Sequence, residues 1–158
     1  MWRARLALGA MLLLALTSSD SIATPADELL DLGLLKGRVV YVDFWASWCA
    51  PCRESFPWMN RLQQELGPKG LVIVAVNVDR ERAEAERFVH EHPPRFRIVF
   101  DADGSLPEKF GVQGMPTSFL IDRDGHIRSR HDGFRLADRD TLAQQVRSLV
   151  LAQANNGG

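Results

Sequence analysis

The chain contains two cysteines, and both stand in the segment WCAPC at residues 48–52. Disulfide exchange needs a thiolate that attacks a disulfide sulfur and a second thiol that resolves the mixed disulfide. Two intervening residues let the sulfurs of Cys49 and Cys52 meet at the geometry of a disulfide bond. A purely structural bridge over so short a loop would constrain the unfolded chain little. The spacing therefore favours a redox-active pair.

The residues that follow the pair predict a helix that begins at the cysteines. Pro51 suits a first helical turn, and Gly67 and Pro68 interrupt the pattern at its far end. Between them, apolar residues recur at intervals of three and four: Phe56, Met59, Leu62 and Leu66. A cysteine at a helix N-terminus is favoured as a thiolate by unpaired N–H groups and the helix dipole. We therefore expect Cys49 to be the nucleophile and Cys52, one turn later, to resolve the mixed disulfide.

A carboxylate lies within the apolar segment that leads to the pair. Val39 to Trp45 is β-branched and aromatic with little alternation, which is typical of a strand buried on both faces, and Asp43 interrupts it. Burial would raise the pKa of Asp43 and make it a possible proton acceptor for Cys52. The alternative is that Asp43 lies at a strand end with solvent access or a local hydrogen bond.

Two prolines stand where regular structure disfavours them. Pro57 would remove the helix bond to the carbonyl of Arg53, which either bends the helix to aim its first turn or is only a local irregularity. Pro116 comes just before an apolar strand, where a proline is rare unless a turn requires it. We expect a cis bond between Met115 and Pro116.

The remaining patterns predict an α/β domain. A buried strand, a helix and a short strand follow one another, an order that requires a parallel sheet; they span 71–78, 81–92 and 97–100. A short helix or turn at 104–111 precedes an antiparallel hairpin, and an amphipathic helix closes the domain; the hairpin spans 117–122 and 126–132, and the last helix 137–154. Apart from the N-terminal residues, one domain accounts for the chain.

The N-terminal residues have the pattern of a secretory signal. Arg3 and Arg5 precede an apolar run from Leu6 to Leu16, and small and polar residues follow. Eleven apolar residues are too few to span a bilayer, so the run predicts a signal peptide at 1–23, with cleavage as late as residue 26. We expect residues 27–158 to act as a soluble periplasmic domain, the alternative being an anchor formed by an uncleaved N-terminal segment.

Composition excludes one class of partner. The chain has 158 residues, of which 46% are hydrophobic and 25% charged, and its formal net charge is −1. No run of five like charges occurs, so an electrostatic hold on nucleic acid is not expected.

Together the segment VDFWASWCAPC, Pro57 and the triplet Met115-Pro116-Thr117 resemble the thioredoxin superfamily, specifically its exported TlpA/ResA-like branch. The resemblance covers residues 37–150, and residues 79–103 are similar to the helix–strand insert of that branch. It implies a thioredoxin-like three-layer sandwich, with a central mixed β-sheet and flanking helices. No cofactor is implied beyond the redox-active disulfide of Cys49 and Cys52.

The resemblance also implies roles and partners. Cys49 would attack, Cys52 would resolve, Asp43 would be the buried acid, and Pro116 the cis-proline beside the sulfurs. Backbone groups around Met115 would pair with a substrate chain like an added strand. Implied partners are exported proteins that carry disulfides, such as apocytochromes c or copper-delivery proteins, and a membrane electron donor; we expect a monomer.

The residues next to the cysteines bear on substrate contact and redox direction. Trp48 is expected to cover the disulfide and meet substrate, together with Ala50 and Pro51. The Ala50-Pro51 pair resembles the Gly-Pro of thioredoxin more than the Pro-His of the oxidant DsbA, which favours a reductase; an oxidase or isomerase remains open.

Two departures from the family pattern are visible. Many relatives carry a glutamate three residues after the second cysteine, where this chain has Ser55, with Glu54 one place earlier. The residues before Val39 leave little room for the β-hairpin that relatives usually bring, so we expect a trimmed sheet edge.

Three other chemistries are conceivable for a site that contains cysteine. A zinc site would need a second cysteine pair or nearby histidines, and the four histidines are distant in sequence. A copper-binding chaperone of similar fold could pair the cysteines with His126 or His131, although copper proteins of that kind usually have the spacing CxxxC. A peroxidase would need a different setting around a single cysteine. No metal site is therefore expected.

Overall fold

The computed structural model of the protein describes residues 30–152. Strands and helices alternate along this part of the chain. The strands are β1 (Val39–Trp45), β2 (Leu71–Asn77), β3 (Arg97–Phe100), β4 (Thr117–Ile121) and β5 (Ile127–Asp132). The helices are α1 (Ala50–Leu66), α2 (Arg82–Glu91), α3 (Ser105–Lys109) and α4 (Arg139–Ala152), with short 3-10 helices at Leu32–Leu35 and Gly67–Lys69.

The strands form one mixed sheet in the order β3-β2-β1-β4-β5. The helices α1 and α2 connect three parallel strands, while β4 is antiparallel to both β1 and β5. All seven residues of the central strand β1 are buried, which explains its continuous run of β-branched and aromatic side chains. The carboxyl end of β1 and the amino end of β4 meet at the same edge of the sheet, since Phe44 pairs with Thr117.

Two hydrophobic clusters cover the two faces of the sheet. On one face, Tyr41 and Trp45 of β1 pack with apolar residues of α1, α2 and α4. On the other, Val42 and Phe44 pack with Leu106 of α3 and with the segment around Leu32. The predicted three-layer sandwich with a mixed central sheet is confirmed, and the helix–strand insert consists of α2 and β3.

Most predicted elements are confirmed to within two residues at their ends. The hairpin of β4 and β5 is antiparallel, with an irregularity at Leu120 and Ile121. Its turn is held by the carboxylate of Asp122, which accepts hydrogen bonds from the backbone of Asp124 and His126. Between residues 30 and 38 the chain forms a 3-10 helix and no strand. The predicted signal peptide at 1–23 and the end of the last predicted helix, residues 153 and 154, lie outside the described residues.

Within residues 30–152, none of the helices combines the length and the apolar character needed to cross a membrane.

Candidate active site

Cys49 and Cys52 are joined by a disulfide bond at the N-terminus of α1, with their Cα atoms 5.3 Å apart. Cys49 caps the helix, and its Sγ accepts a hydrogen bond of 3.3 Å from the backbone N–H of Cys52. Cys52 is fully buried, whereas 4% of Cys49 is exposed. The N–H donor and the helix dipole would both stabilise negative charge on the Cys49 sulfur in the reduced protein. The helix start is where the sequence predicted it.

The residues beside the disulfide are mostly accessible. Trp48 is 68% exposed, Ala50 is exposed and Pro51 is half-buried. Trp48 also lines an open groove of about 350 Å³ whose other wall is α2. The remaining lining residues carry both signs of charge and one ring: Ser47, Arg53, Glu84, Arg87, Phe88 and Glu91. The disulfide is therefore flanked by accessible side chains and an open groove.

Asp43 lies in the core, on the same face of β1 as Tyr41 and Trp45 and therefore on the side of the sheet that α1 covers. It is 3% exposed, and its Oδ2 has no hydrogen-bond partner. Burial raises the pKa of Asp43 well above the ordinary value of a carboxyl group. A carboxyl with a raised pKa keeps its proton to a higher pH than an ordinary carboxyl does, which suits it to exchange a proton with a thiol.

The peptide bond between Met115 and Pro116 is cis, as the sequence predicted. Pro116 is buried directly before β4, at the sheet edge where β1 ends and the chain continues to Cys49. Thr117 holds this turn, since its hydroxyl bonds to the carbonyl of Gly114 at 2.8 Å and to the carboxylate of Asp132 at 3.0 Å. A groove of about 280 Å³ runs along the turn. The structure thus brings the two distant motifs to one end of the sheet.

A buried carboxylate that the sequence reasoning missed supports the loop before Cys49. Asp79, just after β2, accepts hydrogen bonds from the backbone N–H of Ser47 at 2.9 Å and from its hydroxyl at 3.1 Å. It also accepts one from the side-chain amide of Asn77 at 2.7 Å. The sequence signal that could have found it is the polar pair Asn77 and Asp79 at the end of a buried parallel strand. That end of the sheet is also where α1 begins.

The position three residues after Cys52 is buried. Ser55 is 1% exposed, and its hydroxyl donates to the backbone carbonyl of Cys52 at 2.9 Å, whereas Glu54 is exposed. Ser55 therefore places a hydroxyl at this position, and the exposed Glu54 does not supply a carboxylate there. Pro57 lies inside α1, and the helix continues through it to Leu66.

The histidines considered for copper lie elsewhere in the fold. His126 is in the exposed turn before β5, near the carboxylate of Asp122, and His131 is on β5, at the far edge of the sheet. Within the described part of the chain, the cluster with metal-binding geometry is Asp122, Asp124 and His126, which includes neither cysteine. The geometry gives no support to a copper site of two cysteines and a histidine.

Comparison with known proteins gives consistent results. The family model described as Redoxin matches residues 17–146. Thiol-disulfide oxidoreductase ResA of Bacillus thuringiensis subsp. konkukian is 36% identical over 98 residues, which cover 62% of this chain and 57% of that protein. ResA of Bacillus subtilis is 34% identical over 98 residues, covering 62% and 55%. The chain thus spans little more than half the length of the curated relatives it matches.

Solved structures agree with the fold. The thiol:disulfide interchange protein DsbE from Chlorobium tepidum is 50% identical, with a TM-score of 0.74, and the match covers 75% of this chain and 84% of that one. StoA from Bacillus subtilis is 27% identical, with a TM-score of 0.61, over 69% and 82% of the two chains. These neighbours confirm the thioredoxin-like fold and the predicted similarity to ResA. Because the family model covers more than half of the sequence, the chain belongs to the Redoxin family.

Proposed function

We propose that this protein is a thiol–disulfide oxidoreductase that reduces disulfides in exported proteins. The observation that carries the proposal is the Cys49–Cys52 pair at the N-terminus of α1, at the sheet edge where the cis Met115–Pro116 turn also lies. The names of the similar proteins, a thiol-disulfide oxidoreductase and a thiol:disulfide interchange protein, support the same chemistry.

The reaction begins with the reduced pair. The Cys49 thiolate attacks one sulfur of a substrate disulfide, forms a mixed disulfide, and releases the other substrate sulfur as a thiolate. Cys52 then loses its proton and attacks the Sγ of Cys49, which releases the second substrate thiolate. Two electrons have passed to the substrate, and the protein is left with the disulfide that the structure contains.

Asp43 is the proposed acceptor of the Cys52 proton. Cys52 is fully buried, so water is a poor acceptor for its proton, and Asp43 lies on the same side of the sheet. Because the pKa of Asp43 is raised, its proton affinity is closer to that of a thiol than the proton affinity of an ordinary carboxylate is. Cys49, Cys52 and Asp43 are the proposed catalytic residues.

Substrate binding is assigned to the accessible surface around Cys49. Trp48, Ala50 and Pro51 would contact the substrate chain on the helix side of the disulfide. On the other side, the backbone around Met115 would hydrogen-bond to an extended substrate segment that Pro116 contacts, a mode in which main-chain bonds supply affinity for many sequences. The two open grooves beside these residues support this assignment.

The cellular setting follows from the N-terminal pattern and the relatives. Residues 1–23 would direct export to the periplasm, and their removal would leave the domain there as a monomer. A membrane electron donor would then reduce the Cys49–Cys52 disulfide, and substrates would include apocytochromes c or copper-delivery proteins. No cofactor takes part beyond the disulfide itself.

Trapping tests this function. In the Cys52→Ser variant, the mixed disulfide on Cys49 has no resolving thiol, so a covalent complex with the substrate should accumulate in the periplasm. The matched control is Cys49→Ser, which keeps one thiol but removes the attacking one. Complexes in the first variant and none in the second are expected. Equal amounts in both, or none in either, would overturn the proposal.

A further inference from the structure

A row of polar side chains crosses three neighbouring strands of the sheet. Asp43 of β1 lies opposite Ser118 of β4, and Ser118 lies opposite His131 of β5. Residues directly opposite each other in antiparallel strands point to the same face, with Cβ atoms about 5 Å apart. The row therefore runs from the buried carboxyl in the central strand to the edge strand of the sheet, beneath α4.

Tyr41 joins the row from the neighbouring position on the same face of β1. Its hydroxyl lies 2.8 Å from the Oγ of Ser118, to which it donates a hydrogen bond. Burial, and after it the negative charge of Asp43, raise the pKa of Tyr41 far above its usual range. The hydroxyl thus stays protonated, and it is close enough to Asp43 to respond to its charge.

The two ends of the row carry buried polar atoms without partners. These are the Oδ2 of Asp43 and the Nε2 of His131. A buried polar atom that lacks a hydrogen bond is unfavourable, so such atoms are few in folded proteins. Unpartnered atoms at both ends of one polar row suggest a function for the row.

A small cavity lies between the row and α4. Tyr41, Ser118, His131 and Gln145 contribute to its lining, and its volume is about 10 Å³. This is close to the least space that one water molecule needs, and the lining offers several polar atoms to hold it. A water molecule here would connect the imidazole to the Ser118 hydroxyl.

Few charges act on His131 from the surrounding elements. The α4 residues that line the cavity are neutral, namely Leu142, Gln145 and Val146, and β4 contributes the hydroxyl of Ser118. On β5 itself, Arg130 and Asp132 flank His131 in sequence and form an ion pair with each other at 2.9 Å. Within the row, Asp43 is the carboxyl that β1 contributes. Of the side chains that line the cavity, the imidazole of His131 is the one with a ring nitrogen that can accept a proton.

The proposed reaction creates a need for such a group. Each reduction of a substrate leaves on Asp43 the proton that Cys52 has lost, and Asp43 is buried. The proton can return to Cys52 when the disulfide is next reduced, but any proton that Asp43 already holds in the reduced protein must leave before Asp43 accepts the one from Cys52.

We propose that His131 is the proton-exchange partner of Asp43, reached through the hydroxyls of Tyr41 and Ser118. The O–H bond of Asp43 breaks, the two hydroxyls and a water molecule in the cavity each pass on one proton and receive another, and an N–H bond forms on the imidazole. His131 then releases the proton to solvent at the β5 edge, so that no hydroxyl is changed overall. In this proposal His131 does not contact the cysteine sulfurs. It acts through Asp43 and is therefore a positioning residue and not a catalytic residue. The inference rests on the proposed function.

Stopped-flow kinetics with dithiobis(nitrobenzoate) separates the steps. Attack by Cys49 on the reagent releases one coloured thiolate, and attack by Cys52 on the mixed disulfide releases a second. In His131→Gln we expect the second phase to slow at least about tenfold at pH 7, less than the 10²–10⁴ of a direct general base. The first phase should keep its wild-type rate. The matched control is His126→Gln, which removes an exposed histidine from the same hairpin and should match the wild type in both phases.

Two further measurements distinguish proton exchange from a packing effect. In an Asp43→Asn background, His131→Gln should change the second phase by less than about twofold, because residues that act in series are not additive. Added imidazole should restore part of the second-phase rate in His131→Ala. Should His131→Gln fail to fold, Tyr41→Phe carries the test, and the same slow second phase is expected.

Several outcomes would overturn the inference. They are a wild-type second phase in His131→Gln or Tyr41→Phe, equal slowing of both phases, an undiminished effect in the Asp43→Asn background, and no rescue by imidazole. A wild-type protein that reacts at Cys49 but shows no second phase would instead overturn the proposed function, and this inference with it.

Discussion

The backbone N–H of Cys52 donates a hydrogen bond to the Sγ of Cys49 within the first turn of α1. In the proposed reaction, the residue that resolves the mixed disulfide would thus also stabilise the residue that forms it. The bond depends on the helical backbone and not on the Cys52 side chain, so it should survive substitution of that side chain.

The two cysteines should therefore differ in reactivity. We expect Cys52→Ser to react with dithiobis(nitrobenzoate) at a rate close to that of the first phase of the wild type. Cys49→Ser should react at least about tenfold more slowly, because its remaining thiol is fully buried and lies inside the helix instead of at its cap. Similar rates for the two single-cysteine variants would contradict this assignment.

The redox potential should be that of a reductant. Thioredoxin lies near −270 mV and the oxidant DsbA near −120 mV, a difference of roughly 7 kcal/mol for two electrons. Because Ala50-Pro51 resembles the Gly-Pro of thioredoxin, we expect a potential below about −200 mV in equilibrium with dithiothreitol buffers. Ala50→Pro with Pro51→His, which introduces the DsbA pair, should raise it. A wild-type potential above about −150 mV would indicate an oxidase or isomerase.

Asp43 should make stability fall as pH rises. In the unfolded chain a carboxyl loses its proton near pH 3.9, whereas the pKa of Asp43 in the folded protein is raised by burial. Between these two values the folded state binds more protons, so the free energy of unfolding decreases with pH. Asp43→Asn, which is neutral at every pH, should therefore be more stable than the wild type at pH 8.

Urea unfolding of the oxidised protein at pH 4 and pH 8 measures this difference. The gain should nearly vanish at pH 4, where Asp43 is protonated and resembles asparagine. Asp124→Asn, in an exposed turn, provides the control and should show no comparable gain. An equal gain from Asp43→Asn at both pH values would mean that packing, and not ionisation, is responsible.

The carboxylate of Asp79 should be required for a rigid active-site loop. Asp79→Ala removes the acceptor of hydrogen bonds from Ser47 and Asn77 in a buried place, which should cost about 1–3 kcal/mol of unfolding free energy. Ser47→Ala removes only one side-chain bond and should cost less, about 1 kcal/mol. Denaturant unfolding ranks the two variants, and the reverse order would contradict the role assigned to Asp79.

The elements that the sequence predicts correctly are those with local sequence signals. The central strand β1 could be predicted because burial on both faces leaves an uninterrupted apolar run, and α1 because Pro51 and Gly67 mark its ends. The cis bond before β4 was predicted because a proline at that place has few alternatives. Helix and strand ends differed by one or two residues, as expected where terminal turns have few tertiary contacts.

The contacts that were missed depend on partners distant in sequence. Ser47 and Asp79 are 32 residues apart, and no local pattern indicates which loop an aspartate after a strand will meet. The sequence allows His131 as a copper ligand because it does not show which residue of β4 lies opposite His131. In the structure, His131 lies opposite Ser118. It is therefore part of the polar row that contains Asp43 and not part of the site of the sulfurs. Register of this kind is set by pairing of whole strands, which a single position does not reveal.

The pairing of β1 with β4 also affects how the protein matures. Tyr41 and Ser118 are 77 residues apart in the chain, so this pairing closes one of the longer loops in the fold, and closure of long loops slows folding. Until it forms, the segment around Pro116 is not held near the cysteines. A nascent or half-folded chain therefore carries its two thiols without the Met115–Pro116 turn beside them, so any disulfide exchange at that stage would lack the selectivity that this turn provides.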